Sequence, residues 1–291
     1  MRLAQEAVGD IVLVDVVKGM AQGKAFDLED CRPVLKNNYK IQGTDDINLI
    51  KDSDVIVITA GLTRKPGMTR EELLSKNSQI LNDICLNIKE LAKDSIVIVV
   101  TNPLDLMTYL AIKETGFKKE RVFGMGVSLD AARFANIISK ELNIPCTDID
   151  ACVIGSHGEG MLPLSRFTNI KGVSLDEFAD DKKIESLVSK TVNRGAEIVS
   201  LLGSGSAYYA PSSAIAAIVK AIVKDEKRTI GVCAYLNGEY GLKDICIGLP
   251  CRLGKRGIEK IIELDLNKKE KAALAKSVEL LKKQILTPEP T

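Results

Sequence analysis

The sequence contains a single histidine, His157, so any chemistry that needs an imidazole must use this residue. It follows a short apolar run and lies between two glycines, Gly155 and Gly158. Glycines allow the backbone to approach a ligand closely, and imidazole exchanges protons near neutral pH. Hydride transfer to a carbonyl needs such a proton donor. The segment therefore indicates a general acid/base, with a purely structural histidine as the alternative.

Three arginines are candidates for binding a carboxylate. Arg64 and Arg70 flank a Pro-Gly turn in a loop that follows an apolar run, where open α/β sheets bind ligands. Arginine holds a carboxylate through two parallel hydrogen bonds, which lysine does not reproduce. Asp130 and Arg133 lie three residues apart on a predicted helix and share a face. The alternatives are a solvated basic loop and a surface ion pair.

Asp15 closes the apolar run at residues 11–14 and is a candidate for binding a dinucleotide. An acid at the end of the second strand of a dinucleotide-binding fold accepts hydrogen bonds from the adenosine ribose, and it favours NAD over NADP. The Gly-rich turn normally lies about 20 residues before this acid. Counting back from Asp15 runs past Met1, and the first fifty residues contain no G-x-G-x-x-G. A water-facing acid at a strand end is the alternative.

The elements that must position these residues follow from the apolar pattern. Continuous apolar runs at 10–15, 54–61 and 94–102 are typical of parallel strands that are covered on both faces. Helical spacing at 19–30 and 69–93 separates them, which predicts a parallel α/β sheet. Beyond Gly126 the pattern changes. It predicts helices at 130–142, from 175 or later to 202 (interrupted near Asp180 and Asp181), at 212–224 and at 268–285. It also predicts a short strand at 151–154, a hairpin of 228–236 with 243–253, and a strand at 258–264.

Composition excludes several classes of protein. The 291 residues are 45% hydrophobic and 27% charged, which is typical of a globular protein with room for two modest domains. The net charge of +1 predicts neither a nucleic-acid nor a membrane partner. No apolar run approaches the ~18 residues of a membrane span, and the start lacks a signal-peptide core. Seven cysteines without a C-x-x-C pair indicate buried or free thiols in a reducing cytoplasm, and a single histidine disfavours zinc sites built on histidine, so no metal is expected.

In this order, the clusters resemble the malate dehydrogenases of the branch related to lactate dehydrogenase, over essentially the whole chain. The matching segments are IVLVD at 11–15, TAG at 59–61, RKPGMTR at 64–70, TNPLD at 101–105, DAARF at 130–134, HGE at 157–159 and GSAYYAP at 205–211. The resemblance implies a Rossmann-type, NAD-binding parallel sheet over residues 1–126. An α+β substrate domain would follow over 127–291.

The resemblance also implies a reaction, the NAD-dependent oxidation of (S)-malate to oxaloacetate and its reverse. His157 would accept the proton when malate is oxidised and donate it when oxaloacetate is reduced. Asp130 would orient His157 and stabilise its charged form. Arg133 would hold the carboxylate beside the reacting carbon, and Arg70, on a closing loop, would polarise the carbonyl.

Further contacts to substrate and cofactor are implied in the same way. Asn102 would form a hydrogen bond to the substrate, and Arg64 lies where lactate dehydrogenases carry glutamine. Since a second buried carboxylate without a cation is costly, Arg64 would distinguish dicarboxylates from lactate-like acids. NAD would contact Asp15, Thr59, Ala60, Gly61, Asn77, Val100, Thr101 and Asn102.

The sequence departs from the family in two places. The segment GMGVS at 124–128 differs slightly from the usual G-M-A-G-V. Residues 1–5 look like the back half of the first Rossmann helix, so the first strand and the Gly-rich turn are missing. That strand is central in this topology, and its loss would open an edge inside the sheet and remove the pyrophosphate site. We expect the written chain to be an N-terminally truncated version.

Two alternatives stay open. The first is a lactate dehydrogenase-like 2-hydroxy acid dehydrogenase, which would prefer pyruvate to oxaloacetate. The second is a truncated, non-catalytic dicarboxylate-binding protein that would recognise oxaloacetate without NADH. The resemblance further implies a homodimer or homotetramer that acts in the tricarboxylic acid cycle. The apolar helix at 212–224 is a candidate for its contact surface.

Overall fold

The computed structural model describes the backbone of residues 1–62 and 70–286 and the side chains of 1–62 and 72–283. The strands are β1 Ile11–Val14, β2 Ile41–Thr44, β3 Val55–Ile58, β4 Ile96–Val99, β5 Val122–Gly124, β6 Ile149–Asp150, β7 Val153–Gly155, β8 Met161–Pro163, β9 Asn169–Ile170, β10 Val173–Ser174, β11 Arg228–Asn237, β12 Lys243–Gly254 and β13 Gly257–Ile261. The helices are α1 Arg2–Gln5, α2 Met20–Asp30, α3 Arg32–Leu35, α4 Arg70–Leu91, α5 Leu104–Thr115, α6 Val127–Leu142, α7 Asp181–Leu202, α8 Tyr209–Val223 and α9 Lys268–Leu286.

The main sheet runs through both halves of the chain in the order β3-β4-β5-β11-β12-β7-β8, with β13 on β12. The strands β3, β4 and β5 are parallel, with Val57 opposite Ile98 and Val99 opposite Gly124. The remaining neighbours are antiparallel, and β11 and β12 form the predicted hairpin. A parallel α/β part followed by an α+β part confirms the predicted fold class.

The sheet is divided at the place where the sequence predicted an open edge. The parallel pair β1–β2 forms a sheet of its own, and among the described residues neither β1 nor β3 has a strand partner on its other edge. Two side chains of β1, Val12 and Val14, are exposed. By contrast, every residue of β4 is buried, because the helices α4 and α5 contribute Ile88 and Met107 to the same core.

Helix α6 carries two of the candidate site residues and is held firmly. It begins at Val127, directly after a turn at Gly126 with a φ of +44°, so it starts three residues before the predicted helix. Its side chains Phe134 and Ile138 are buried in a second core, which also contains Leu187 of α7. This packing determines the position and rotation of α6 and therefore where its polar side chains lie.

The predicted interruption near Asp180 is confirmed: a 3-10 turn at Leu175–Glu177 ends before it, and Asp180 caps helix α7, its Oδ1 accepting the backbone N–H of Lys183 at 2.8 Å. Two other predictions need correction. The last strand ends at Ile261 rather than at residue 264. The helix at 212–224 begins at Tyr209, and its apolar side, including Ile218, is buried in the core of the same chain. That side is therefore not available as a contact surface.

None of the described helices combines the length and the apolar character that a membrane crossing requires.

Helices α6 and α7 are also joined by charge. Glu141 of α6 accepts hydrogen bonds from Lys183 at 2.6 Å and from Lys190, both on α7. These two ammonium groups lower the pKa of Glu141 from 4.5 to about 2. Because the folded-state pKa is depressed, the stabilisation is fully present above pH 4.5 and is lost as the pH falls toward 2.

We therefore expect Glu141→Gln to lower the free energy of unfolding at neutral pH, by an amount that shrinks on acidification. Urea unfolding at a series of pH values, followed by circular dichroism, measures this difference. The matched control is Glu185→Gln, which makes the same chemical change at an exposed position on α7. A wild-type advantage that stays constant between neutral pH and pH 2 would contradict the role of Glu141.

Candidate active site

The centre of the site is a buried carboxylate that contacts two positively charged or protonatable side chains. Asp130 of α6 is completely buried, and its Oδ2 lies 2.8 Å from Nδ1 of His157. Its Oδ1 accepts a hydrogen bond from Nη1 of Arg133, one helical turn further along, at 3.3 Å. The side chains of His157 and Arg133 remain 15% and 13% exposed, respectively. Both can therefore reach a small ligand while the acid between them cannot.

Helix α7 passes close to the guanidinium of Arg133. A Cβ atom at Gly195 would lie 3.4 Å from Nη1 of Arg133, an ordinary contact distance, so the guanidinium lies beside α7 at this glycine. The packing of α6 against α7 thus limits where this cation can move.

The environment of His157 favours the protonated imidazole overall. Burial is the largest single influence and lowers its pKa, because it penalises the charged form. The charge and the hydrogen bond of Asp130 act in the opposite direction, as does the charge of Asp105, while Arg133 opposes them. The net result is a pKa of His157 raised above its ordinary value of 6.5.

The loop that carries His157 is closed tightly. Gly155 has a φ of +92°, and a Cβ atom there would lie 2.5 Å from the carbonyl oxygen of Gly160, so only glycine fits. The hydroxyl of Ser277, on α9, accepts the backbone N–H of Ser156 at 3.0 Å and donates to the carbonyl oxygen of Gly160 at 2.8 Å. The local chain therefore holds the histidine at the end of β7.

Sequence reasoning gave no role to two residues that hold this loop, Ser277 and Asp105. Asp105 accepts the backbone N–H of His157 at 2.8 Å. It belongs to the matching segment TNPLD, and an acid in the first turn of an apolar helix is the signal that could have identified it. Ser277 has no comparable signal, because it is a small polar residue in an amphipathic helix far along the chain.

A second group of predicted residues meets where β3 and β4 end. Asn77 of α4 is buried; its Oδ1 accepts the backbone N–H of Leu62 at 2.7 Å and its Nδ2 donates to the carbonyl oxygen of Asn102 at 2.9 Å. The hydroxyl of Thr101 donates to the carbonyl oxygen of Ala60 at 2.6 Å. A Cβ atom at Gly61 would lie 2.7 Å from Cγ2 of Thr101.

These bonds hold the predicted cofactor residues together at the carboxyl ends of β3 and β4. The residues are Thr59, Ala60, Gly61, Asn77, Val100, Thr101 and Asn102. The peptide bond between Asn102 and Pro103 is cis, and the side chain of Asn102 is exposed at the start of α5.

Asp15 lies apart from that group, on the small sheet β1–β2. It follows β1, its Oδ1 accepts the backbone N–H of Val17 at 3.0 Å, and its own N–H donates to the carbonyl oxygen of Thr44 at 3.1 Å. The residue is half-buried. Within the described parts of the chain, none of its hydrogen bonds reaches the group at β3 and β4.

The described residues fit the adenosine and nicotinamide ends of an NAD molecule better than its central pyrophosphate. The half-exposed carboxylate of Asp15 suits the ribose hydroxyls of adenosine, and the polar edge at Asn102 suits the nicotinamide end. The first fifty residues contain no Gly-rich turn that would receive the pyrophosphate.

The two remaining predicted site residues, Arg64 and Arg70, have side chains that lie outside the described part of the chain. Arg64 lies outside the described residues, and helix α4 begins at Arg70, whose side chain also lies outside them.

Comparisons with known proteins identify the same family in both halves of the chain. The family model for the lactate/malate dehydrogenase NAD binding domain matches residues 1–124, and the model for the alpha/beta C-terminal domain of the same family matches residues 127–289. A malate dehydrogenase of Methanosarcina mazei is 49% identical over 284 residues, which are 98% of this chain and 92% of that protein.

Solved structures of this family have the same fold. The apo malate dehydrogenase from Picrophilus torridus superposes with a TM-score of 0.93 at 42% identity and covers 97% of this chain and 90% of its own. The lactate dehydrogenase from Cryptosporidium parvum, in complex with lactic acid and nicotinamide adenine dinucleotide, gives 0.94 at 33% identity and covers 99% and 93%. The chain therefore belongs to the lactate/malate dehydrogenase family and is an NAD-dependent oxidoreductase.

Proposed function

We propose that this protein oxidises (S)-malate to oxaloacetate with NAD and catalyses the reverse reaction. The observation that carries the proposal is the buried Asp130, in contact with both His157 and Arg133. This arrangement offers a proton acceptor and a carboxylate-binding cation side by side. The relatives named malate dehydrogenase support malate as the substrate rather than a lactate-like acid.

Proton transfer falls to His157 in this proposal. When bound, NAD accepts the hydride from the carbon that carries the hydroxyl group. Because the carboxylate of Asp130 can only accept a hydrogen bond from Nδ1, it favours the tautomer with the proton on Nδ1. This tautomer leaves Nε2 free to accept the hydroxyl proton. Asp130 then stabilises the imidazolium that forms, and in the reverse direction the same nitrogen returns the proton.

Substrate binding falls to the arginines and to Asn102. Arg133 has donors beyond the one bonded to Asp130, and a guanidinium presents five in a planar fork. It would hold the carboxylate next to the reacting carbon. From the sequence, we propose that Arg70 polarises the carbonyl group, that Arg64 meets the distal carboxylate, and that Asn102 forms a hydrogen bond to the substrate.

We also propose the division into domains, the metabolic pathway and the compartment of this protein. Residues 1–126 would form the NAD-binding domain, with Asp15, Asn77 and the strand ends at 59–61 and 100–102 as its contacts, and residues 127–291 the substrate domain. We propose a place in the tricarboxylic acid cycle in the cytoplasm. The seven cysteines are free thiols in the structure, which is compatible with a reducing compartment.

The direct test compares substrates. With NADH, we expect oxaloacetate to be reduced far faster than pyruvate by the full chain. A preference for pyruvate would favour a lactate dehydrogenase-like activity. Calorimetric titration completes the test, because a protein that binds oxaloacetate but not NADH is a dicarboxylate-binding protein rather than an enzyme.

Removing the imidazole should stop turnover. We expect His157→Ala to lower kcat for oxaloacetate reduction by about 10²–10⁴-fold, the usual contribution of a general acid, with little change in NADH affinity. No second histidine exists that could take over. Steady-state kinetics together with a fluorescence titration of NADH measure both quantities. If turnover stays near the wild-type rate, His157 is not the proton donor.

Substrate choice should depend on Arg64. Replacing it by glutamine removes the cation for the distal carboxylate, so we expect Arg64→Gln to lower the ratio of kcat/KM for oxaloacetate to that for pyruvate by about 10²-fold. Arg64→Lys is the matched control, since it keeps the charge without the planar fork, and it should fall between the two. An unchanged ratio in Arg64→Gln would show that this arginine does not select the substrate.

We also propose a homodimer or homotetramer. Large side chains are exposed at the junction of α7 and α8, where Leu201 is 81% and Tyr209 is 74% exposed. We expect light scattering to give at least twice the mass of one chain, and Leu201→Asp to weaken the assembly. Val173→Asp, at an exposed apolar position on β10, should not. A single-chain mass at micromolar concentration would contradict the proposal.

A further inference from the structure

Asp105 is a buried acid that the proposed reaction does not use. It lies in the first turn of α5 and is 5% exposed. Its Oδ2 accepts two hydrogen bonds, from the backbone N–H of His157 at 2.8 Å and from the hydroxyl of Ser156 at 2.9 Å. No nitrogen or hydroxyl donor in the described part of the chain reaches Oδ1, and the thiol of Cys233, on β11, adjoins the carboxylate.

Such a position is costly for a carboxylate. Burial disfavours the ionised form unless donors or cations compensate it, and no described lysine or arginine forms an ion pair with Asp105. Asparagine has nearly the same shape and could accept the same hydrogen bonds with its amide oxygen. Support for the loop alone therefore does not require an acid here, and the charge itself calls for an explanation.

The explanation lies in the charges around the imidazole. Asp130 contacts His157, but it also binds the guanidinium of Arg133. Asp130 and Arg133 together are close to neutral, and Arg133 itself opposes protonation of the histidine. Asp105 approaches the same residue from α5 without a cation of its own. In its ionised form it places a negative charge beside the backbone of His157, and no described lysine or arginine forms an ion pair that would cancel this charge.

We propose that Asp105 is a positioning residue for His157, which fixes the backbone from which the imidazole extends and supplies the uncancelled negative charge that stabilises its protonated form. This inference rests on the proposed function of His157 as the proton donor and acceptor.

The groups around Asp105 act on its charge in opposite directions. Burial is the largest influence and raises the pKa of Asp105 above its ordinary value, while the thiol of Cys233, the charge and the backbone N–H of His157 and the hydroxyl of Ser156 act to lower it. Burial also raises the pKa of the Cys233 thiol, so this neighbour of Asp105 stays neutral at neutral pH. Each of Asp105 and His157 therefore favours the charged form of the other.

The single histidine makes a direct measurement possible. In a full chain labelled with ¹³C and ¹⁵N only at histidine, and purified with a histidine-free tag, NMR detects one imidazole ring and one histidine amide. The ring resonances, followed from about pH 5 to about pH 9, give the pKa of His157 without any use of activity. We expect this pKa to lie above the ordinary 6.5 in the wild type.

The informative variant is Asp105→Asn, which keeps the shape and an acceptor but removes the charge. We expect the ring to titrate at a lower pH than in the wild type, because the charged imidazole loses its uncancelled partner. Thr108→Val is the matched control; Thr108 is buried on the same helix, and its hydroxyl donates only to the carbonyl oxygen of Leu104 at 2.8 Å. It should leave the pKa of His157 unchanged. Equal pKa values in the wild type and Asp105→Asn would overturn the proposal.

A second measurement keeps the proposal testable if that variant does not fold. The wild-type His157 amide donates to a buried carboxylate, so its hydrogen exchange should be much slower than that of an exposed loop amide. Fast exchange under native conditions would overturn the proposal as well.

Kinetics separate this inference from the proposed function. If the enzyme reduces oxaloacetate, the alkaline limb of its kcat/KM profile should move to lower pH in Asp105→Asn by the same shift as the ring. If no turnover is found but the ring still shifts, the proposed function fails while the role of Asp105 stands. If the enzyme turns over but Asp105→Asn shifts neither the pKa of the His157 ring nor the alkaline limb of the kcat/KM profile, the proposed function stands and the role proposed for Asp105 is wrong.

Discussion

The contact of one buried carboxylate with two side chains is the interaction on which the rest of the site depends. Asp130 is unable to reach a ligand, yet it holds both groups that can, His157 and Arg133. A buried acid with only one of these partners would be expensive, whereas two charge-assisted hydrogen bonds offset its desolvation. The acid therefore requires that α6 and the loop after β7 keep a fixed distance from each other.

The surrounding core maintains that distance. Helix α6 is held against α7 by buried apolar side chains and by Glu141, and the loop after β7 is held by α9 through Ser277 and by α5 through Asp105. Three helices that are far apart in sequence thus converge on a short segment around His157. Rigid elements rather than the loop itself provide the precision that proton transfer needs.

The sequence predicted the elements with continuous apolar runs or strong helical spacing, and it identified His157, Asp130 and Arg133 as chemically competent. It did not predict contacts that depend on tertiary structure. Asp105 looked like part of a matching motif, and only the fold shows that its carboxylate faces the backbone of a residue 52 positions away. The break near Asp180 was predicted, but that its side chain caps α7 depends on hydrogen-bond geometry, which the sequence does not give.

The group around His157 and the residue Asp15 belong to different sheets, so a local movement of one sheet need not affect the other. The acid/base half is joined to the main sheet, whose core is continuous from β3 to β12. Asp15 instead follows β1 in a separate pair of strands with its own small cluster of buried residues. Because described hydrogen bonds do not link that pair to β3, local opening around Asp15 need not disturb His157. The imidazole and its two neighbouring carboxylates can therefore keep their geometry when the β1–β2 pair moves, so the roles proposed for Asp15 and for His157 do not rest on a shared hydrogen-bond network.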